Sequence, residues 1–362
     1  MTSAAVRWAT PDDDAALRRL CRRTPIVGPI SYCLEREPDF FALTQLQGAA
    51  GGRIAVIDHG DDIVTMAMMA PQRVWIAGEP QQVSYLGDLK VDPDHRNNGL
   101  AGRAVSFLAH ELRQMGIDRS YFLILAGNRA FERLESAPEH FAVRKLRPVR
   151  NFLVPFGSER AAQSDMVIGR ATPDAIPEML AVWNRVNGRR TFAPVLDERL
   201  FAQWLSGSLS LADFRLARRD GTLVGFCATW NASAIKQIRL LRLSIGLLAM
   251  TKMYNIAAPL LGRPRFPALN EHLRFLYVSH ICAESAEVLE SLLESIHDEH
   301  RTDGHLYFDL ALDREDHLSS AVARFRSMKV KFEIWEALTP GCRATTRVPN
   351  SGDCAYFDMS SV

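Results

Sequence analysis

The segment 83–113 concentrates residues whose types and order can do chemistry. It reads Val83-Ser84-Tyr85-Leu86-Gly87-Asp88-Leu89-Lys90-Val91, then Asp92-Pro93-Asp94-His95, then Arg96-Asn97-Asn98-Gly99-Leu100-Ala101-Gly102-Arg103. The first run mixes β-branched, aromatic and aliphatic residues, as strands do. It stops at Asp92-Pro93, because proline has no amide for a ladder and fixes φ. From Leu100 onward Ala104, Phe107, Leu108, Glu111 and Leu112 recur at helical spacing, and Gly116 supplies a C-cap. A helix therefore begins inside the Gly/Asn loop. Its first turn holds about four amides without internal partners, at the positive end of the dipole, so residues 97–102 form a nest for a pyrophosphate. Gly99 and Ala101 allow close approach of the backbone, and Arg96 and Arg103 add charge-assisted donors.

The string Arg-x-x-Gly-x-Ala (Arg96, Gly99, Ala101), entered through Val-x-Pro-x-x-Arg (Val91, Pro93, Arg96), resembles the acyl-CoA loop of the GNAT N-acetyltransferase superfamily. It is neither a dinucleotide fingerprint nor a Walker loop, since no Gly-x-Gly-x-x-Gly and no Gly-Lys-Ser/Thr is present there. The likeness extends over residues 4–155: a strand from Val6, an acid-capped helix through Leu17, Leu20 and Cys21, a hairpin of 53–58 and 63–69, and a strand 119–126 ending at Gly127-Asn128. The resemblance implies acetyl-CoA as acyl donor and a primary amine as acceptor, joined by direct transfer. It implies CoA contacts from Leu89, Lys90 and Val91 on the strand, from Arg96, Asn97, Asn98, Gly99, Leu100, Ala101 and Gly102 in the loop, and from Asn128. It also implies a bulge in the strand and an amide near Leu89 that polarises the thioester carbonyl. Tyr85 and Asp88 are the catalytic candidates, with Asp88 equally a base, an amine anchor or a bulge-stabilising acceptor. Seven residues after Asn128, where the family usually has a tyrosine, the chain has Glu135.

The 362 residues, 47% of them hydrophobic, suffice for two cores. Ala9-Thr10-Pro11-Asp12 recurs in the second half as Ala171-Thr172-Pro173-Asp174, and Phe41-Ala42 recurs at nearly the same offset as Phe201-Ala202. With a second hairpin flanking Asp220-Gly221, this indicates a duplication. The expected fold is α+β, two tandem GNAT-like domains at 1–157 and 165–362, each a mostly antiparallel sheet flanked by helices. The second copy is read as degenerate, because Cys282-Ala283-Glu284-Ser285-Ala286-Glu287 replaces the loop with acids that repel a pyrophosphate.

An insert at about 233–271 contains an apolar run, 240–262, which Arg242, Lys252 and Pro259 interrupt, so a membrane span is not expected. Ile235, Ile238, Leu241 and Ile245 with Lys236, Arg239 and Arg242 read as a basic amphipathic helix packed on the other domain, with membrane-surface contact or an acyl-chain channel as alternatives. Forty-three Lys+Arg against 42 Asp+Glu give a net charge of +1, with no general pull toward nucleic acid. Six scattered cysteines lack a Cys-x-x-Cys pair and the histidines lack ligand spacing, so no metal is expected. Without a secretory pattern at the start, cytoplasmic placement with reduced thiols follows. The expected activity is acetyl-CoA-dependent N-acetylation of a primary amine. The rivals are transfer of a longer acyl chain, a non-catalytic acyl-CoA sensor and a peripheral membrane adaptor. The residues single out no acceptor and no oligomeric state.

Overall fold

The computed structural model describes residues 5–128, 131, 141–157, 165–339 and 353–361. In chain order the strands are β1 (Val6–Trp8), β2 (Ile30–Glu35), β3 (Arg53–His59), β4 (Asp62–Ile76), β5 (Glu79–Val91), β6 (Arg119–Leu125), β7 (Ala142–Pro155), β8 (Val167–Arg170), β9 (Phe214–Arg219), β10 (Thr222–Trp230), β11 (Gln237–Leu243), β12 (Leu276–Ala283), β13 (Tyr307–Asp313) and β14 (Met328–Leu338). The helices used below are α1 (Asp14–Arg23), α2 (Phe41–Thr44), α3 (Leu100–Gln114), α4 (Ile176–Asn187), α5 (Glu198–Trp204), α6 (Ile245–Ala257) and α7 (Ala286–His300).

Twelve strands form one sheet in the order β1-β3-β4-β5-β6-β14-β7-β13-β12-β10-β9-β8. Read inward from either edge, the pairings are the same: antiparallel three times, then parallel. The repeated Ala-Thr-Pro-Asp segments also fold alike, each as a proline-led 3-10 turn running into a helix, with Thr10 and Thr172 at φ −118 and −120. The centre departs from two side-by-side sheets. β14, the last strand of the second half, lies between β6 and β7, and β7, the last of the first half, lies between β14 and β13. Each half is therefore completed by a strand from the other.

Burial explains the layering. β3 and β4 are apolar on both faces, with α1 and Phe40 against one and Ala104, Leu108 and Leu112 of α3 against the other. In the second half Val288, Leu292 and Ile296 of α7 belong to the core that covers β9, β10 and β12. At the exchange, Glu336 of β14 is fully buried between Arg119 of β6 (3.0 Å) and Arg144 of β7 (2.5 Å). Glu336→Ala strands the buried Arg119, so we expect a loss of about 3–5 kcal/mol, read as a lower midpoint in chemical denaturation.

Two expectations are corrected. Residues 237–243 are a strand, not a basic helix: β11 pairs antiparallel with β2, a strand not foreseen. The cations that suggested a helical stripe are used differently, Arg239 holding the buried Glu35 at 2.8 Å and Lys236 lying buried with its Nζ donating to the Met359 carbonyl at 2.9 Å. In the second half the sequence also predicts a helix from Asp316 to Met328, where the structure has only a 3-10 turn, His317–Val322. No described helix is long and apolar enough to cross a membrane.

Candidate functional site

β5 gives way to Asp92, whose side chain accepts from the Asp94 amide at 3.0 Å and is gripped by Arg23 of α1 at 2.9 Å. Arg23 also reaches Asp94 at 2.7 Å, so the turn is tied to α1 from both acids. That guanidinium holds the Asp92 carboxyl well below its usual range, at about 2. Beyond it Asn97 and Gly99 adopt φ +64 and +71, left-handed values that fold the loop back onto itself. α3 follows, and its first internal bond is Arg103 N to Gly99 O at 3.1 Å. The amides of Leu100, Ala101 and Gly102 precede that bond and have no acceptor within the helix. Residues 96–99 are exposed, so the amide face opens to solvent. The guanidinium of Arg96 turns back, donating from Nε to the Val91 carbonyl at 3.4 Å. The arrangement suits a phosphate-bearing ligand.

Upstream on the same strand, β5 and β6 pair only at Ser84 with Ser120 and Tyr85 with Tyr121, then diverge into a fork. β5 also bulges: Lys90 faces Met66 and Gly87 faces Met68 on β4, with Asp88 at φ +48 in the extra length. Leu89, exposed, and Val91, half-buried, lie past the bulge on the fork's β5 arm. Lys90, between them, is half-buried; burial raises the thiol pKa values of Cys21 and Cys33, and the Lys90 charge opposes that rise. Asn128 sits in the turn closing β6, the other arm, its amide donating to Leu125 O at 3.1 Å. Glu135 lies outside the described residues.

The catalytic candidates differ in kind. Asp88 is paired with Arg36 through Nη2 to Oδ2 at 2.6 Å, and Arg36 is itself buried, bonded to Thr44 Oγ1 and lying over the Phe40 ring. Its carboxylate thus closes the bulge against α2. Tyr85 is buried over Gly87, where a Cβ would approach its ring to 2.9 Å. Burial, reinforced by the Asp88 charge, pushes its phenol far above the usual range, so it stays protonated.

Tyr85 and Tyr121 also wall a cavity of about 80 Å³ that lies between the two halves. Phe192 closes one side, stacked on Tyr121 at 4.2 Å, and Trp204, His280 and Asp358 complete the wall. His280 occupies a second bulge, on β12, equivalent to that of Asp88: Cys282 faces Phe226, Ser279 faces Ala228, and His280 has φ +53. Its amide donates to Asp358 Oδ2 at 2.9 Å, its Nδ1 lies 2.8 Å from Ser279 Oγ, and its ring packs on Trp204 at 4.1 Å. Burial lowers its pKa below the ordinary 6.5 despite Asp358, so the imidazole is neutral near pH 7. Sequence reasoning weighed His280 only as a metal ligand and passed over it. The available signal was the match of Tyr277-Val278-Ser279-His280 to Tyr85-Leu86-Gly87-Asp88.

The second half keeps the fork, at Leu276 with Phe308 and Tyr277 with Asp309, but not the phosphate nest. Only Glu284 and Ser285 separate β12 from α7, and Ser285 caps the helix by accepting from Val288 N. Glu284 and Glu287 pair with Arg185 and Arg219 there. Deeper between the halves, burial lowers the Lys236 pKa and raises that of Asp309, the residue at the register position of Tyr121. Among the described residues no group of His, Cys, Asp and Glu is arranged to hold a metal.

Residues 17–134 match the model of the acetyltransferase (GNAT) family. Among curated proteins none matches the sequence. Among solved structures, the N-myristoyltransferase of Saccharomyces cerevisiae with bound myristoyl-CoA is similar with a TM-score of 0.64 at 10% identity, over 93% of this chain and 80% of that one. A GCN5-related N-acetyltransferase from Anabaena variabilis gives 0.55 at 9% identity, over 94% and 74%. At these identities the likeness is one of fold.

Proposed function

We propose that the chain, whose residues 17–134 match the acetyltransferase (GNAT) family, transfers an acetyl group from acetyl-CoA to a primary amine by direct attack. The observation that carries this reading is the placement of three parts along one strand: free helix-start amides beyond its end, a bulge upstream, and a fork whose last paired residues, Tyr85 and Tyr121, line a cavity shared by both halves. The pyrophosphate sits on the amides of residues 97–102, and the pantetheine runs between the arms, pairing with the backbone of Leu89 and Val91 as an added strand would. Tyr85 and Tyr121, beside Phe192, fill the floor of the fork and wall a cavity of about 80 Å³, which supports a short acyl group.

The Leu89 amide faces the thioester carbonyl, where charge develops in the tetrahedral transition state. The amine enters from the shared cavity. His280, neutral at the start, takes the proton released as the C–N bond forms and returns it to the sulfur as the C–S bond breaks, so one group serves as base and then acid. Tyr85 donates a hydrogen bond without ionising. Asp88 acts through its ion pair, fixing the bulge that aims the Leu89 amide.

Thiol release from acetyl-CoA across a panel of primary amines tests this reading. Amine-dependent release is expected. CoA binding with no turnover on any amine would favour a sensor, and faster turnover of long-chain acyl-CoA would overturn the choice of acetyl.

A further inference from the structure

α6 breaks the usual rule for a surface helix. None of its residues is buried, and of its large apolar side chains only Leu247 and Leu248 are half-buried, the others facing outward. Ile245, Met253, Ile256 and Leu260 are 89%, 72%, 76% and 87% exposed and share one face, with Met250 and Leu261 beside them at 66% and 61%. The opposite side is anchored: Tyr254 Oη donates to Pro264 O at 3.0 Å, and Asn255 exchanges bonds of 2.7 and 2.9 Å with the Phe266 backbone. The helix is thus held with its apolar side out. A second segment extends the surface, because Ser244 N donates to Pro29 O and Leu243 registers with Ile30, bringing Val27 and Ile30, 78% and 42% exposed, to the start of α6.

The charges carried by the segments that build this surface have one sign. Residues 24–34 carry no charge, and residues 236–270 carry six Lys or Arg and no Asp or Glu. Lys236 and Arg239 are spent inside the fold. Arg242, Lys252 and Arg265 are exposed and Arg263 half-buried beside the apolar face. The first acid beyond, Glu271, accepts from the Ala268 amide. A second copy on a two-fold axis would bring the same cations together, which disfavours self-association. An anionic lipid surface satisfies both features, taking the apolar side chains below the headgroups and the cations among them.

We infer that α6, with the 258–261 turn and the 27–30 segment, docks the protein on an anionic membrane surface. The inference stands independently of the acyl-transfer reading. Co-sedimentation of the full chain with phosphatidylcholine vesicles containing phosphatidylserine should pellet it, pure phosphatidylcholine should pellet far less, and added salt should weaken binding. The double variant Met253→Glu/Ile256→Glu and the double variant Lys252→Glu/Arg265→Glu should each lower partitioning by about tenfold or more. All four positions are exposed, so unchanged circular dichroism is expected. A wild-type chain left in the supernatant with anionic vesicles overturns the inference, as does pelleting indifferent to both variants. A lipid-free dimer broken by Met253→Glu would assign the face to a second copy and also overturn it.

Discussion

Gly99→Glu is expected to abolish CoA binding while leaving the fold in place. A Cβ at this position meets nothing within 4 Å, so the new side chain has space and the sheet is undisturbed. Its two costs fall on the ligand. At φ +71 a non-glycine residue is strained by roughly 1–3 kcal/mol, which loosens the turn that aims the amides. The carboxylate also stands where the pyrophosphate must lie, at the positive end of α3, and repels it while competing for its donors. Together these should weaken binding by about a hundredfold or more. Gly99→Ala separates the two causes, since it adds strain without charge and should bind with intermediate affinity. Calorimetry with CoA checks both variants, and unchanged affinity in Gly99→Glu would rule the loop out as the coenzyme site.

His280→Asn should lower kcat roughly a hundred- to ten-thousand-fold with CoA affinity unchanged. Asparagine is chosen because it tolerates the left-handed backbone at φ +53 and keeps a polar group against Ser279 and Asp358, yet it cannot carry the proton. A merely structural histidine would change melting temperature and kcat together; a base changes kcat alone. The pH profile supplies a second readout. Burial depresses the imidazole pKa, so kcat/KM should rise with pH on a limb centred below 6.5 and be flat at neutrality on that side. The limb should vanish in His280→Asn. Ser279, Asp358 and Trp204 surround the ring, and only Asp358 opposes the shift.

The turn after β5 and the start of α3 were legible because their cues are local. A strand pattern, Asp-Pro, two residues suited to left-handed φ and a helical period follow one another in a single short stretch, and each acts on its own backbone. The outer strands of both halves were legible for the same reason. What escaped was set by distant partners. Nothing in residues 26–35 announces a strand until β11, from the far half of the chain, offers an edge. That same edge turned the basic pattern of 235–242 from a helical stripe into a ladder. The exchange of β7 and β14 is equally invisible locally, since either strand satisfies its hydrogen bonds beside β6 or β13.

His280 escaped for a different reason. Met68 corresponds to Ala228 and Gly87 to Ser279, but the two pairs stand at different offsets, because the insert lengthens the second copy between them. The repeat aligns at a constant offset only before the insert, so the second bulge could not be placed from it. Asp88 illustrates the converse: its chain position and chemistry fit a base, and only the buried guanidinium of Arg36, brought from β2's end, gives it another task.

Catalysis as described requires the backbone amides of residues 97–102 to hold a diphosphate whose attached thioester reaches the fork beside Tyr85 and His280. A crystal structure with acetyl-CoA is the most direct check. The diphosphate should lie on those amides, the pantetheine between β5 and β6, and the sulfur at the opening of the shared cavity. Coenzyme bound elsewhere, or a fork that stays closed around Tyr85 and Tyr121 with the loop empty at saturating ligand, would refute that placement.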